Sequence, residues 1–200
     1  GIAERYTVTR SDYAGFVVLH GTDTLAWTAS SLAYQLQGID RAVVVTGAQR
    51  PLEADNSDAL MNIEAALRFS ALPALREVAV CFAGKLMRGV RSRKWNTHAD
   101  DGFVSPNYPL LGELIDGSPV LYPTRGLDSQ QRGLPRFELP DYNPVNDAIA
   151  RIVLWPGISP RLLRAWLLDT GIQGALLEIW GSGNMPEDPA LLGALAQATG

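Results

Sequence analysis

An open, largely parallel, Rossmann-like α/β sheet with flanking helices is the fold class that this sequence of 200 residues predicts. Three observations carry the expectation. Short, predominantly apolar runs recur at 15–20, 42–45 and 77–83, as suits parallel strands covered on both faces. The segments between them carry apolar residues at spacings of three and four, the mark of a helix with one buried face. Strand, helix, strand, helix, strand in that order implies right-handed crossovers and hence a parallel sheet.

The elements follow in chain order. Residues 1–11 read as the end of a helix (Ile2-Ala3-Glu4-Arg5-Tyr6), and Gly15 to His20 as the first strand. Thr24 to Gln37 is a helix with Leu25, Ala29, Leu32 and Leu36 on one face, stopped by Gly38. The second strand, Ala42 to Val45, ends in the loop Thr46-Gly-Ala-Gln-Arg-Pro51. A helix from about Ser57 to Phe69 is expected to bury Leu60, Ile63 and Leu67, and the third strand follows at 77–83. From Gly84 to Asn107 the pattern breaks, in a segment carrying Lys85, Arg88, Arg91, Arg93 and Lys94. Long segments without regular structure inside a domain are usually functional or mobile. Residues 105–145 are rich in Pro and Gly, with short strand-like pieces such as 119–122.

The α/β rhythm then restarts. Ile149 to Trp155 is a strand; Ser159-Pro160 opens a helix closed by Gly171; Gly174 to Trp180 is a strand; Asp188-Pro189 opens a last helix. Two strands and two helices cannot close a sheet. The expected organisation is therefore the remainder of one domain at 1–122, a connector at 123–147, and the first half of a second, smaller α/β domain at 148–200.

Composition narrows the function. The net charge of −4 gives no electrostatic case for nucleic acid or an anionic membrane surface. No apolar run reaches the roughly 18 residues that would span a bilayer. The single cysteine, Cys81, permits no internal disulfide and favours a reducing compartment; within a strand it reads as a small apolar core residue. With His20, His98 and Cys81 as the soft ligand candidates, a zinc site is not expected. No Gly-x-x-x-x-Gly-Lys-Ser/Thr pattern argues for a nucleoside triphosphate.

Four places could carry chemistry. Thr22 and Asp23 follow the first strand, where open α/β sheets bind ligands. Asp23 could hold a substrate ammonium group, or it and Thr24 could merely cap the next helix. Lys94 is either a solvated side chain or one folded back on Asp23, where the pair could activate a hydroxyl. Spacing alone does not decide between them. The loop 46–51 is either a tight turn or a close backbone approach to a ligand. Gly181-Ser-Gly-Asn184 is either a weak phosphate cradle or a strained interface turn. His20 reads as a hydrogen-bonded core residue and His98 as a surface one.

The run Gly15-Phe-Val-Val-Leu-His-Gly-Thr-Asp-Thr-Leu25 resembles the second active-site signature of the bacterial L-asparaginase family. Val44-Val-Thr-Gly-Ala-Gln-Arg-Pro51 resembles the family's next loop, and Arg88-Gly-Val-Arg-Ser-Arg-Lys-Trp-Asn-Thr97 its catalytic-lysine segment. Ser105-Pro-Asn-Tyr-Pro109, Trp155-Pro-Gly-Ile-Ser159 and Trp180-Gly-Ser-Gly-Asn-Met-Pro186 resemble the type I, cytoplasmic branch. The resemblance implies hydrolysis of L-asparagine to L-aspartate and ammonia, without metal or cofactor, in a homodimer or homotetramer. It implies that Thr22 is the second catalytic threonine, that Asp23 grips the substrate's α-ammonium, and that Lys94 pairs with Asp23. Ala48 would offer a backbone carbonyl near the reacting amide, and Asn184 would lie in the segment approaching a neighbouring subunit's site. Glu178 stands where type I enzymes can place a basic residue used in allostery, so allostery is not carried over.

The family's Thr-Gly-Gly-Thr-Ile stretch, which holds the primary nucleophile, has no counterpart in these 200 residues. The family's chain would also run roughly a hundred residues further. The expectation is an internal segment of a longer enzyme, inactive by itself. Two other readings stand beside it: the asparaginase-like, ammonia-releasing subunit of a tRNA-dependent amidotransferase, and a non-catalytic amino-acid-binding module.

Overall fold

Val43, Val44 and Val45 on one strand and Val78 to Phe82 on the next are all buried, which places these two strands at the centre of a sheet covered on both faces. The computed structural model describes residues 1–137, 148–168 and 171–199. Its elements are α1 (Ile2–Thr9), β1 (Gly15–Leu19), α2 (Leu25–Gln35), β2 (Ala42–Thr46), α3 (Ala59–Ser70), β3 (Val78–Phe82), β4 (Lys85–Arg88), β5 (Arg93–Lys94), β6 (Phe103–Val104), β7 (Gly112–Ile115), β8 (Ser118–Leu121), α4 (Ser129–Arg132), β9 (Ile149–Val153), α5 (Pro160–Leu167), β10 (Gly174–Glu178) and α6 (Pro189–Thr199). The chain divides into two compact units, Gly1–Leu139 and Pro140–Gly200.

In the first unit six strands form one sheet in the order β1-β2-β3-β4-β7-β8. The β1–β2 and β2–β3 pairs are parallel, as the α/β rhythm predicts. The sheet then continues antiparallel through β4, β7 and β8. Within the segment expected to be irregular, 84–107, the short strands β4, β5 and β6 and a helical turn at Gly89–Arg91 are ordered, while 95–102 remains a loop. The reversal is made at Ala83 and Gly84, both with positive φ, a tight hairpin turn that a helix-connected pattern does not anticipate.

Helix α2 buries Leu25, Ala29 and Leu32, with Leu36 just past its end, against Val43, Val45, Val80 and Phe82 of the sheet. Helix α3 corrects the expectation made for it. Leu60 and Leu67 are 69% and 55% exposed, Ile63 is half-buried, and the face turned inward is Ala59, Asn62, Ala65, Ala66, Phe69 and Ser70. Small side chains let this helix approach the sheet closely enough for Asn62 to reach backbone groups at the strand ends. The bulkier leucine stripe would hold it further out. Cys81 lies in this second core layer, where burial pushes its thiol up to about 12, the behaviour of an inert core cysteine.

Residues 123–137 are bonded into the first unit: Leu127 N–H donates to Glu77 Oε1 at 2.9 Å and Arg136 N–H to Gln37 O at 2.9 Å. The remainder of the expected connector, 138–147, lies outside the described residues. In the second unit β9 and β10 pair in parallel, and Ile152, Leu154, Ile158, Leu163, Leu191 and Ala194 form its core. Helix α5 ends at Leu167, short of Gly171; residues 169 and 170 lie outside the described residues.

Candidate active site

Strands β1 and β2 end side by side, with Leu19 opposite Thr46. His20 N–H donates to Thr46 O at 2.8 Å, extending the pairing by one bond. Beyond that bond the chain enters Gly21-Thr22-Asp23 before turning into α2. The His20 ring is tied on both sides, its Nδ1 2.9 Å from Gly21 O and its Nε2 2.9 Å from Thr28 Oγ1. A carbonyl only accepts, so Nδ1 carries the proton. The ring is a clamp on the turn: His20 is hydrogen-bonded as expected, but it stands half-buried at the strand end and not in the core. Gly47 faces it across the strands: a Cβ there would lie 2.2 Å from His20 O. Gly47→Ala must therefore push the two strand ends apart. We expect a loss of about 2 kcal/mol, read from the urea midpoint; a midpoint equal to wild type would contradict this close approach.

Asp23 does not serve as a helix cap. Thr24 holds the N-cap position of α2 and makes no side-chain cap bond, while the Asp23 carboxylate turns to Lys94. Lys94 Nζ donates to Asp23 Oδ1 at 2.7 Å and to Thr22 Oγ1 at 2.8 Å. The lysine side chain is 19% exposed and the Asp23 side chain 93%. The hydrogen bond from Lys94, then its charge, hold the Asp23 carboxyl below the usual carboxylate range. So exposed an ion pair adds little to stability, and stability does not explain why three such groups meet here. A cation 2.8 Å from a hydroxyl oxygen favours the alkoxide form of Thr22, and the outer oxygen of Asp23 stays open to a cationic ligand.

The chain delivers Lys94 by a return run along α2. After β4, a short helical turn at Gly89–Arg91 packs on that helix; Ser30 Oγ donates to Gly89 O at 3.4 Å. Strand β5 then pairs with β6, and Phe103 anchors the pair by packing on Phe82, ring centroids 4.8 Å apart. The loop 95–102 is held from outside. Gln49 Nε2 donates to Asn96 O and Ala99 O at 2.9 and 3.0 Å. Arg50 pairs with Asp100, and Lys85 with Asp101, each at 2.5 Å. The loop quoted for Ala48 thus does more than turn the chain. Ala48 sits half-buried at its centre, and its neighbours Gln49 and Arg50 clamp the lysine hairpin.

Two residues essential to this arrangement do not stand out in the sequence. Asp58, buried, accepts the N–H groups of Gln49 and Arg50 at 3.0 Å. Asn62, buried on α3, donates through Nδ2 to Gly47 O and Asp58 Oδ2 and accepts from Ala83 N–H. It ties the ends of β2 and β3 together. Burial works to raise the Asp58 carboxyl, but the N–H donors of Gln49 and Arg50 outweigh it and leave it below the ordinary value. The available signal is an asparagine in register with Ala59, Ala65, Ala66 and Phe69, a polar group in an otherwise small-residue face.

Asn184 lies in the second unit. Its Nδ2 donates to Gly181 O at 3.1 Å and its carbonyl accepts from Trp180 N–H at 3.0 Å. Ser182 there has φ +63°, a strained turn. Glu178 is paired with Arg151. His98 is exposed beside Thr97.

Residues 2–125 match the family model described as asparaginase, N-terminal. The chain is 35% identical to L-asparaginase 1 of Escherichia coli K12 over 198 residues, 99% of this chain and 56% of that protein. It is 37% identical to a glutamyl-tRNA(Gln) amidotransferase subunit of Methanothermobacter thermautotrophicus over 181 residues, 86% of this chain and 40% of that one. The crystal structure of L-asparaginase I from Vibrio cholerae superposes with a TM-score of 0.83 at 36% identity, covering 99% of this chain and 58% of that one. The chain thus spans 40% to 58% of the length of these three proteins. A family model covering well over half of these residues, and a fold shared with an asparaginase at that identity, place the chain in the asparaginase family.

Proposed function

We propose that this chain is part of a type I L-asparaginase, an amidohydrolase converting L-asparagine and water to L-aspartate and ammonia. One observation carries the reading: Lys94 Nζ stands within 2.8 Å of both the Thr22 hydroxyl and the Asp23 carboxylate. In this reading Asp23 binds the substrate's α-ammonium through its exposed oxygen. Lys94 holds Thr22 in a state from which a proton can move as the amide carbon is attacked. Ala48 contributes backbone near the reacting amide, and Asn184 belongs to the segment that approaches a neighbouring subunit in a homodimer or homotetramer. The first, attacking threonine is supplied from outside these 200 residues. Strand β1 favours this: it ends the sheet with β2 as its one strand neighbour among the described residues, and Leu19 is largely exposed. An open parallel edge of this kind accepts a further strand. We assign residues 1–122, together with the hydrogen-bonded run 123–137, to the catalytic domain and 148–200 to the second domain, in a cytoplasmic enzyme. Among the described residues no helix is long and apolar enough to cross a membrane.

The test is ammonia release. The complete protein is expected to yield one ammonia and one aspartate per asparagine consumed, and residues 1–200 alone to yield none. Release only when a partner protein is added would favour the amidotransferase reading, which the similarity to the Methanothermobacter protein motivates. Tight aspartate binding without turnover by the complete protein would remove the hydrolase reading.

A further inference from the structure

A cavity of about 410 Å³ opens within the first unit at the amino end of β3, where the last turn of α2 meets residues 76–78, 88–91 and 127–132. Helix α2 separates it from Thr22 and Asp23 by its own length, about 16 Å at 1.5 Å per residue. Four arginines line it: Arg76, Arg88, Arg91 and Arg132. Arg88 is matched, because its Nε donates to Glu77 Oε2 at 2.7 Å and its Nη2 to Arg125 O at 2.8 Å. Glu77 is the one carboxylate in the lining, and it is fully engaged: it is buried, and its second oxygen accepts Leu127 N–H.

The other three guanidinium groups have no ion-pair partner among the described residues. Arg76 and Arg132 each donate through Nε to a nearby carbonyl, Pro73 O at 3.1 Å and Asp128 O at 3.3 Å. These bonds fix one edge of each group and leave the remaining N–H donors for a ligand. Arg91 lies 6.0 Å from the Tyr108 ring centroid. The negative end of α2, which has no basic residue in its own last turn, accounts for one neighbouring cation, not for three. In a chain of net charge −4, three arginines that line one concavity with no ion-pair partner among the described residues carry the charge that an oxyanion ligand needs. Leu36, Ile39, Val78 and Leu127 give the cavity an apolar floor.

We infer that this cavity binds a small, multiply charged organic anion, its carboxylate or phosphate groups held by Arg76, Arg91 and Arg132 and its body resting on the apolar floor. The test is calorimetric titration of the intact protein with citrate and, separately, with inorganic pyrophosphate at low salt. Binding with Kd of about 1 mM or tighter is expected, weakened about tenfold or more in the Arg91→Gln, Arg132→Gln double variant and unchanged in Arg68→Gln. Citrate binding alone assigns carboxylate ligands, and pyrophosphate binding alone phosphate ligands. If the double variant fails to fold by circular dichroism, Arg76→Gln, altered at an exposed side chain, decides in its place. Failure of both probes to bind, or equal affinity in the variant, overturns the inference.

Discussion

Replacing Lys94 by alanine in the complete enzyme is expected to lower turnover of asparagine by about 10³-fold and to leave the urea midpoint close to wild type. The two outcomes separate because the lysine's partners are of opposite kinds. Asp23 is solvated and needs no counter-ion to remain folded. Thr22 loses the charge 2.8 Å from its oxygen, and a threonine hydroxyl without such activation is a poor proton relay at neutral pH. Lys94→Arg restores the charge but not the compact, three-donor ammonium that reaches both groups at once, so rescue is expected to be small. Activity of Lys94→Ala within about tenfold of wild type would remove the role assigned to it.

The second large effect falls on stability. Asp58→Ala leaves Gln49 N–H, Arg50 N–H and one Asn62 N–H without their acceptor. Unsatisfied buried donors cost about 1–3 kcal/mol each. Partial access of water to the loop reduces the sum, and we expect a loss of about 3–5 kcal/mol, a large part of an ordinary domain's stability. The pH dependence follows from the same contacts. A carboxyl held below its unfolded value contributes stability in full above that value, about 3.9, and loses it as pH falls through the lower folded value. Wild-type stability should therefore drop more steeply below about pH 4 than that of Asp58→Asn. Parallel slopes in urea titrations of the two proteins would show that the Asp58 charge does not hold the loop.

Much of the fold is legible in local sequence. Leu25, Ala29, Leu32 and Leu36 are buried where their spacing places them, because α2 packs one stripe on the sheet. The two central strands are buried along their whole length, and an uninterrupted apolar run records that directly. The inner face of α3 is misjudged by hydrophobicity because that measure ranks leucine above alanine. Close approach to a sheet instead selects small residues, and that approach is what lets Asn62 reach Gly47 and Ala83. Strands β4 to β6 are not legible because they are two to four residues long and the first two are interrupted by Lys85, Arg88, Arg93 and Lys94, whereas β8 falls on the strand-like piece expected at 119–122. Of the site, Thr22 and Asp23 announce themselves as a polar loop at a strand end. Their contact with Lys94, 71 residues away from Asp23, is made by a hairpin anchored through Phe103 and clamped by Gln49 and Arg50, and no local pattern encodes it.

The most direct measurement is a crystal structure of the complete protein with L-aspartate bound. The account predicts the ligand's ammonium within hydrogen-bond distance of the Asp23 carboxylate, its side-chain carboxyl near Thr22, and the Lys94 ammonium still bridging the two residues. An ordered aspartate bound elsewhere, with Asp23 and Thr22 facing only solvent, would contradict it.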